Sequence, residues 1–136
     1  MNKIKCNDII GVIYRHQTMC EEDFIENHIR ELIHKLSIEN SKNIFNACDF
    51  NFDLVKVSLH SPTADFYDLL TSNFLLPMIL LPTKINTGAD TLIDNIFSNY
   101  FNPDTISGTL SLAISDHLPS FTIFPKSNPN HIPKTT

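Results

Sequence analysis

The stretch Ile9–Tyr14, IIGVIY, is a run of β-branched and apolar residues with one glycine and no charge. Such a run reads as a buried strand, because branched side chains fit a pleated surface and lose rotamer freedom in a helix. The next apolar positions, Ile25, Ile29, Leu32, Ile33 and Leu36, recur at helical spacing with charged residues between them. They put an amphipathic helix over roughly 20–38. Thr18-Met19-Cys20-Glu21 has the form of a capping box at its start. Asn43–Cys48, NIFNAC, reads as a second strand. Strand, helix and strand in that order predict a crossover unit, and with it an α/β fold.

Downstream, Asp49–His60 is a polar loop, and Ser61-Pro62 starts a second helix with a buried stripe of Phe66, Leu69 and Leu70. Leu75–Pro82 is apolar but punctuated by prolines, which suits an edge strand or an extended loop. Thr91–Ser98, Ser107–Leu112 and Ser120–Phe124 are further short strand candidates. Segments 9–15, 43–48, 92–98 and 119–124 are expected to share one sheet, with helices near 20–38 and 62–72 on its outer face. Residues 1–8 read as a polar lead, 9–124 as the domain, and 125–136, rich in Pro, Asn, Ser and Thr, as a disordered tail.

The chain has 136 residues, enough for one domain, and its 10 Phe with no Trp predict a core of Phe, Leu and Ile. A formal net charge of −5 counts against an autonomous nucleic-acid binder, which would show a basic face. It does not count against a metal site, since such sites are built of carboxylates. Cys6, Cys20 and Cys48 lack CxxC spacing and read as reduced intracellular thiols. The N-terminus has no signal-peptide core, and the longest apolar run, Phe74–Leu81, is interrupted by Pro77 and too short to span a bilayer. A soluble protein is expected. No repeat or phosphate-cradling glycine motif is present.

Four segments place polar residues at strand ends, where α/β sheets usually build their sites. They are Tyr14-Arg15-His16, Asp49-Phe50-Asn51, Asp94-Asn95 and Ser115-Asp116-His117. Each has an ordinary structural reading: Asp and Asn past a strand make local turns, and a Tyr at a strand end is an amphipathic core residue. Asp94, set among Leu92, Ile93, Ile96 and Phe97, needs a partner if it is buried, and His117 is the obvious one. A solvated Asp94 is the alternative.

Taken together, IIGVIYRHQ, NIFNACDFNFDL, TLIDNIFSN and SDHLPSFTIF resemble, in order and spacing, the second half of the endonuclease/exonuclease/phosphatase family. They are most similar to the endonuclease domain of non-LTR retrotransposons, and the resemblance runs from Ile9 to Phe124. It implies part of a four-layer α/β sandwich, essentially one mixed sheet with helices on one face. It implies that Tyr14 bonds the scissile phosphate, Asp49 orients or deprotonates water, and Asn51 donates to a phosphate oxygen. It further implies that Asp94 holds His117 to stabilise phosphate charge, and that Asp116 and Asp49 lie at the metal. The implied cation is Mg²⁺ or Mn²⁺, because hard ions suit carboxylate oxygens. The implied partner is DNA, and the implied location is nuclear in an active retroelement.

Two departures qualify these implications. Cys48 stands where the family has a glycine before the Asp of its DFN motif. The family's upstream Asn and metal-binding Glu are not in this stretch, and Glu21, Glu22 and Glu26 cannot be assigned that role. The expectation is therefore a fragment with weak or no activity alone. It would expose one sheet face to the missing half or to self-association. The alternative is a non-catalytic α/β remnant or a partner-binding module.

Overall fold

The computed structural model describes residues 7–39, 41–112 and 114–125. The opening apolar run forms β1 (Asp8–Tyr14), and NIFNAC forms β2 (Asn43–Asp49) parallel to it. Between them runs a single helix, α1, made of an α-helical turn Glu21–Phe24, a π turn Ile25–Ile29 and an α-helical stretch Arg30–Ser37. A second helix, α2, spans Ser61–Thr71. β3 (Leu76–Pro77) and β4 (Asp94–Ser98) complete a mixed sheet of order β1-β2-β4-β3, in which β4 lies antiparallel to both neighbours. Among the described residues no helix is long and apolar enough to cross a membrane.

Both helices cover one face of the sheet. Ile44, Cys48 and Phe97 of that face share a core with Phe24, Ile25, Ile29 and Ile33 of α1 and Phe66 and Leu70 of α2. Phenylalanines fill its centre: Phe66 stacks on Phe52 at 4.5 Å between centroids and meets Phe50 edge-on at 4.7 Å. Each ring so buried contributes about 2–3 kcal/mol. The π turn follows from spacing. Apolar residues of α1 recur every fourth position from Ile25 to Ile33, and in a regular α-helix each such step overshoots a full turn by about 40°. The wider π turn takes up that drift, so Ile25, Ile29 and Ile33 are all buried.

The helix starts differ from those expected. The capping box is not formed: the N-cap is Cys20, without a side-chain bond to the helix, while Thr18 Oγ1 pairs with His16 Nδ1 at 2.7 Å. His60, not Ser61, caps α2, and Ser61 is already helical. Of the polar lead, Asp8 belongs to β1 and residues 1–6 lie outside the described residues, as does the tail beyond Pro125.

The larger correction concerns the last strand. β5 (Ile106–Thr109) and β6 (Ser120–Ile123) form their own antiparallel ribbon, so segment 119–124 does not join the main sheet. Both edges of β4 are taken, by β2 and β3, and a nearby strand of equal length offers β6 its ladder instead. The ribbon folds over the face opposite the helices, where Phe124 stacks on Phe45 of β2 at 4.7 Å. That face is therefore only half bare: Phe45 is buried, whereas Ile10 and Val12 of β1 are 75% and 82% exposed.

Arg15, just past β1, is 2% exposed. Its Nε donates to Phe50 O (2.7 Å), Nη1 to Met19 O (2.8 Å) and Nη2 to Asn51 O (2.9 Å), and the guanidinium carbon lies 4.5 Å from the Phe52 ring centre. Glu21 Oε1 stands 3.5 Å from Nη2 and supplies countercharge. Arg15→Met keeps an apolar stem but orphans three carbonyls and a carboxylate. It should cost about 3 kcal/mol, read as a lower urea midpoint at unchanged slope. A loss below about 1 kcal/mol would mean that water replaces the guanidinium.

Candidate functional site

Asp49 ends β2, Asp94 begins β4, and the antiparallel register sets the two opposite each other. Residues directly opposite in a sheet share a face, and here it is the face turned away from the helices. Tyr14 stands opposite Asp49 on the other side, at the end of β1, and is largely exposed. His117 arrives from the loop between β5 and β6, and its Nδ1 lies 2.9 Å from Asp94 Oδ2. A carboxylate only accepts, so Nδ1 carries the proton and Nε2 is left for the cleft. Asp94's backbone N–H donates to Thr83 Oγ1 at 3.0 Å, which fixes the start of the strand.

Ligand atoms of Asp49, Asp94 and His117 all lie within 4.8 Å of one another. With Tyr14 and Ser115 they line an open cleft of about 480 Å³, walled on its apolar side by Val12, Ile96 and Leu118. Four of the residues singled out in the sequence, Tyr14, Asp49, Asp94 and His117, thus converge at one rim of the sheet.

Two do not. Asn51 adopts a left-handed backbone (φ 53°), which Asn tolerates better than most residues. Its side-chain Nδ2 donates to Arg15 O at 2.7 Å, and its backbone N–H donates to Asp49 Oδ1 at 3.2 Å. It braces the exits of β1 and β2 and does not line the cleft. Asp116 is exposed and faces Lys84, with Nζ 3.6 Å from Oδ2, and it is not part of the Asp49–Asp94–His117 group. Asp116, expected from the sequence to share a metal with Asp49, thus stands apart from it, and the carboxylate beside Asp49 is that of Asp94.

Segment 83–85, which nothing in the sequence marked, assembles the site. Lys84 bridges Thr91 on one side and His117 on the other; Leu118 N donates to Thr83 O at 2.6 Å, and Ile85 N to Asp116 O at 2.9 Å. This junction docks the ribbon loop against β4 and so delivers His117 to Asp94. Its signal is purely long-range, because a Thr-Lys-Ile after prolines looks like any other loop.

Burial, and then the charge of Asp94, push the Asp49 carboxyl above the usual aspartate range, against partial relief from the Asn51 N–H, His117 and Lys84. At Asp116 desolvation pushes upward, but Lys84, backbone and Ser115 hydrogen bonds and His117 together outweigh it and hold that carboxyl low. Burial drives the Cys48 thiol well up, so it stays protonated. Cys48 sits in the regular ladder of β2, and among the described non-glycine residues only Asn51 and Phe74 have positive φ. Its Sγ approaches Asn95 O at 3.3 Å inside the core. Cys48 therefore causes no backbone strain where it stands.

In comparisons with known proteins, no family model, curated protein or solved structure matches this chain.

Because the fold raises the Asp49 pKa, it favours the protonated acid. The associated stability is present below the ordinary aspartate range and is lost as pH rises through the raised value. Asp49→Asn keeps the oxygen that accepts from Asn51 and removes a charge beside Asp94. It should melt a few degrees higher than the parent at pH 7 and show a flatter pH profile between acid and neutral. An Asp49→Asn melting temperature at or below the parent value at pH 7 would show that the Asp49 charge is fully compensated.

Proposed function

We propose that this chain carries the C-terminal part of a divalent-metal-dependent phosphodiesterase acting on DNA, of the kind that non-LTR retrotransposons carry. The observation behind this reading is the Asp94–His117 hydrogen bond of 2.9 Å standing beside Asp49 in one cleft. Hydrolysing a phosphodiester calls for a base near water, a donor for the charge that develops on phosphate, and compensation of negative charge. Asp49 stands beside the cleft, where its carboxylate can orient the attacking water or accept its proton. His117, its Nδ1–H held by Asp94, turns Nε2 to the cleft, where the ring donates as an imidazolium, and Tyr14 offers a hydroxyl at the rim.

A divalent cation fits the site in part. The adjoining carboxylates of Asp49 and Asp94 supply hard oxygens and an excess of negative charge. Bound there, Mg²⁺ or Mn²⁺ would supply charge stabilisation at the phosphate. His117 Nδ1 is engaged with Asp94, and Asp116 is engaged with Lys84, so the oxygen set is small. Mg²⁺ sheds water reluctantly, and such a site binds it weakly. Slow cleavage by this chain alone follows.

One observation favours the second reading, a non-catalytic α/β piece. Asn51 and Asp116 are spent on structural bonds and do not face the cleft. Nicking of supercoiled plasmid in Mg²⁺ and in Mn²⁺, beside an Asp49→Ala/His117→Ala double variant, separates the two. We expect slow, metal-dependent nicking that falls by about 100-fold or more in the double variant. A rate equal to that of the double variant in both metals would sink the phosphodiesterase reading.

A further inference from the structure

β1 is an edge strand. In the order β1-β2-β4-β3 it pairs with β2 alone, and among the described residues no strand runs along its other side. In a parallel pair, alternate residues direct both backbone N–H and C=O to the neighbour, and the residues between direct theirs away. Arg15 N donates to Asp49 O, which sets the phase. Ile9, Gly11 and Ile13 therefore face β2, while Asp8, Ile10, Val12 and Tyr14 turn their backbone groups to the free side. Natural edges of this length are guarded by Lys, Pro, a bulge or an inward charge. β1 has no charge or proline between Asp8 and Arg15, and its register with β2 is unbroken.

The strand is also symmetric about Gly11, which is flanked first by Ile10 and Val12 and then by Ile9 and Ile13. We propose that β1 is an interface between two copies of this chain, joined edge to edge as antiparallel strands about a twofold axis at Gly11. In that register Ile10 lies opposite Val12 of the second copy. Both have outward-facing backbone groups, so each such pair exchanges both of its hydrogen bonds. Ile10 meets Val12 on the open face, where they are 75% and 82% exposed, and Ile9 meets Ile13 on the helix side. Asp8 falls opposite Tyr14, so the two acidic ends stay apart. A slipped register would set Asp8 against Val12 and shorten the ladder. Tyr14 lines the cleft, so the second copy lies at the rim of the candidate site. This pairing holds whether or not the cleft is catalytic.

The test is sedimentation of the full chain over a concentration series, with amide hydrogen exchange on the same samples. A monomer–dimer equilibrium is expected, with the Ile10 and Val12 amides gaining protection as the dimer fills. Val12→Pro removes an outward N–H while leaving the bonds to β2 in place, since proline is tolerated on a free edge. It should raise the dissociation constant by about 100-fold with circular dichroism unchanged. Val12→Ser, which trims apolar surface without touching the backbone, should raise it by about tenfold. A folded chain that stays monomeric throughout overturns the proposal. So does a dimer in which Ile10 and Val12 amides exchange as fast as in the monomer, a readout that needs no variant. Dimerisation unaffected by Val12→Pro likewise rules out the edge.

Discussion

A guanidinium sealed among phenylalanine rings is the constraint on which the rest of this fold rests. Burying a cation is costly unless every donor is used, and Arg15 uses its donors on Phe50 O, Met19 O and Asn51 O with Glu21 nearby. Those acceptors belong to the turn after β2 and to the approach to α1. Glu21 Oε2 in turn stands 3.5 Å from His60 Nε2, at the cap of α2. The end of β1, the turn and the starts of both helices must therefore be in place together, because none can leave without exposing an unpaired charge. Asp49 and Asn51 flank Phe50, so the same residue that closes the core also fixes the base of the cleft.

The cleft is held by the opposite kind of economy. Asp49 and Asp94 are brought together by strand register alone, and their repulsion is offset from outside the sheet by His117 and Lys84. The sheet supplies the negative charge, and the two loops packed on it supply the relief. This division explains why the residues facing the cleft come from distant segments while the scaffold beneath it is local.

It also explains which parts were legible in the sequence. The β1–α1–β2 unit was readable because periodicity is a local signal: IIGVIY and the helical spacing of Ile25 to Leu36 need no other part of the chain. The Asp94–His117 bond was readable because a carboxylate beginning an apolar strand demands a partner, and only a handful of residues could serve. Asn51 and Asp116 were misplaced because their partners, Arg15 O and Lys84, lie far off in sequence and compete with a role in the site. The ribbon was misread for a related reason. Whether β6 joins β4 or β5 depends on β3 already occupying the remaining edge of β4, which a two-residue strand rich in proline does not announce.

That ribbon has a consequence for the timing of events in the folded molecule. It touches the sheet through the Phe45–Phe124 stack, the Tyr100–Phe124 ring contact, the His117–Asp94 bond, the packing of β6 on β4 and the short junction at residues 83–85, whereas the sheet and helices share one continuous core. None of the ribbon's residues belongs to that core, and elements outside the core have lower local stability than the core itself. When it opens, His117 leaves with it, and Asp49 and Asp94 are left side by side with no imidazole between them and solvent. The Asp49–Asp94–His117 group is thus complete only while the ribbon lies on the sheet, whereas both of its carboxylates belong to strands of the helix-backed sheet itself.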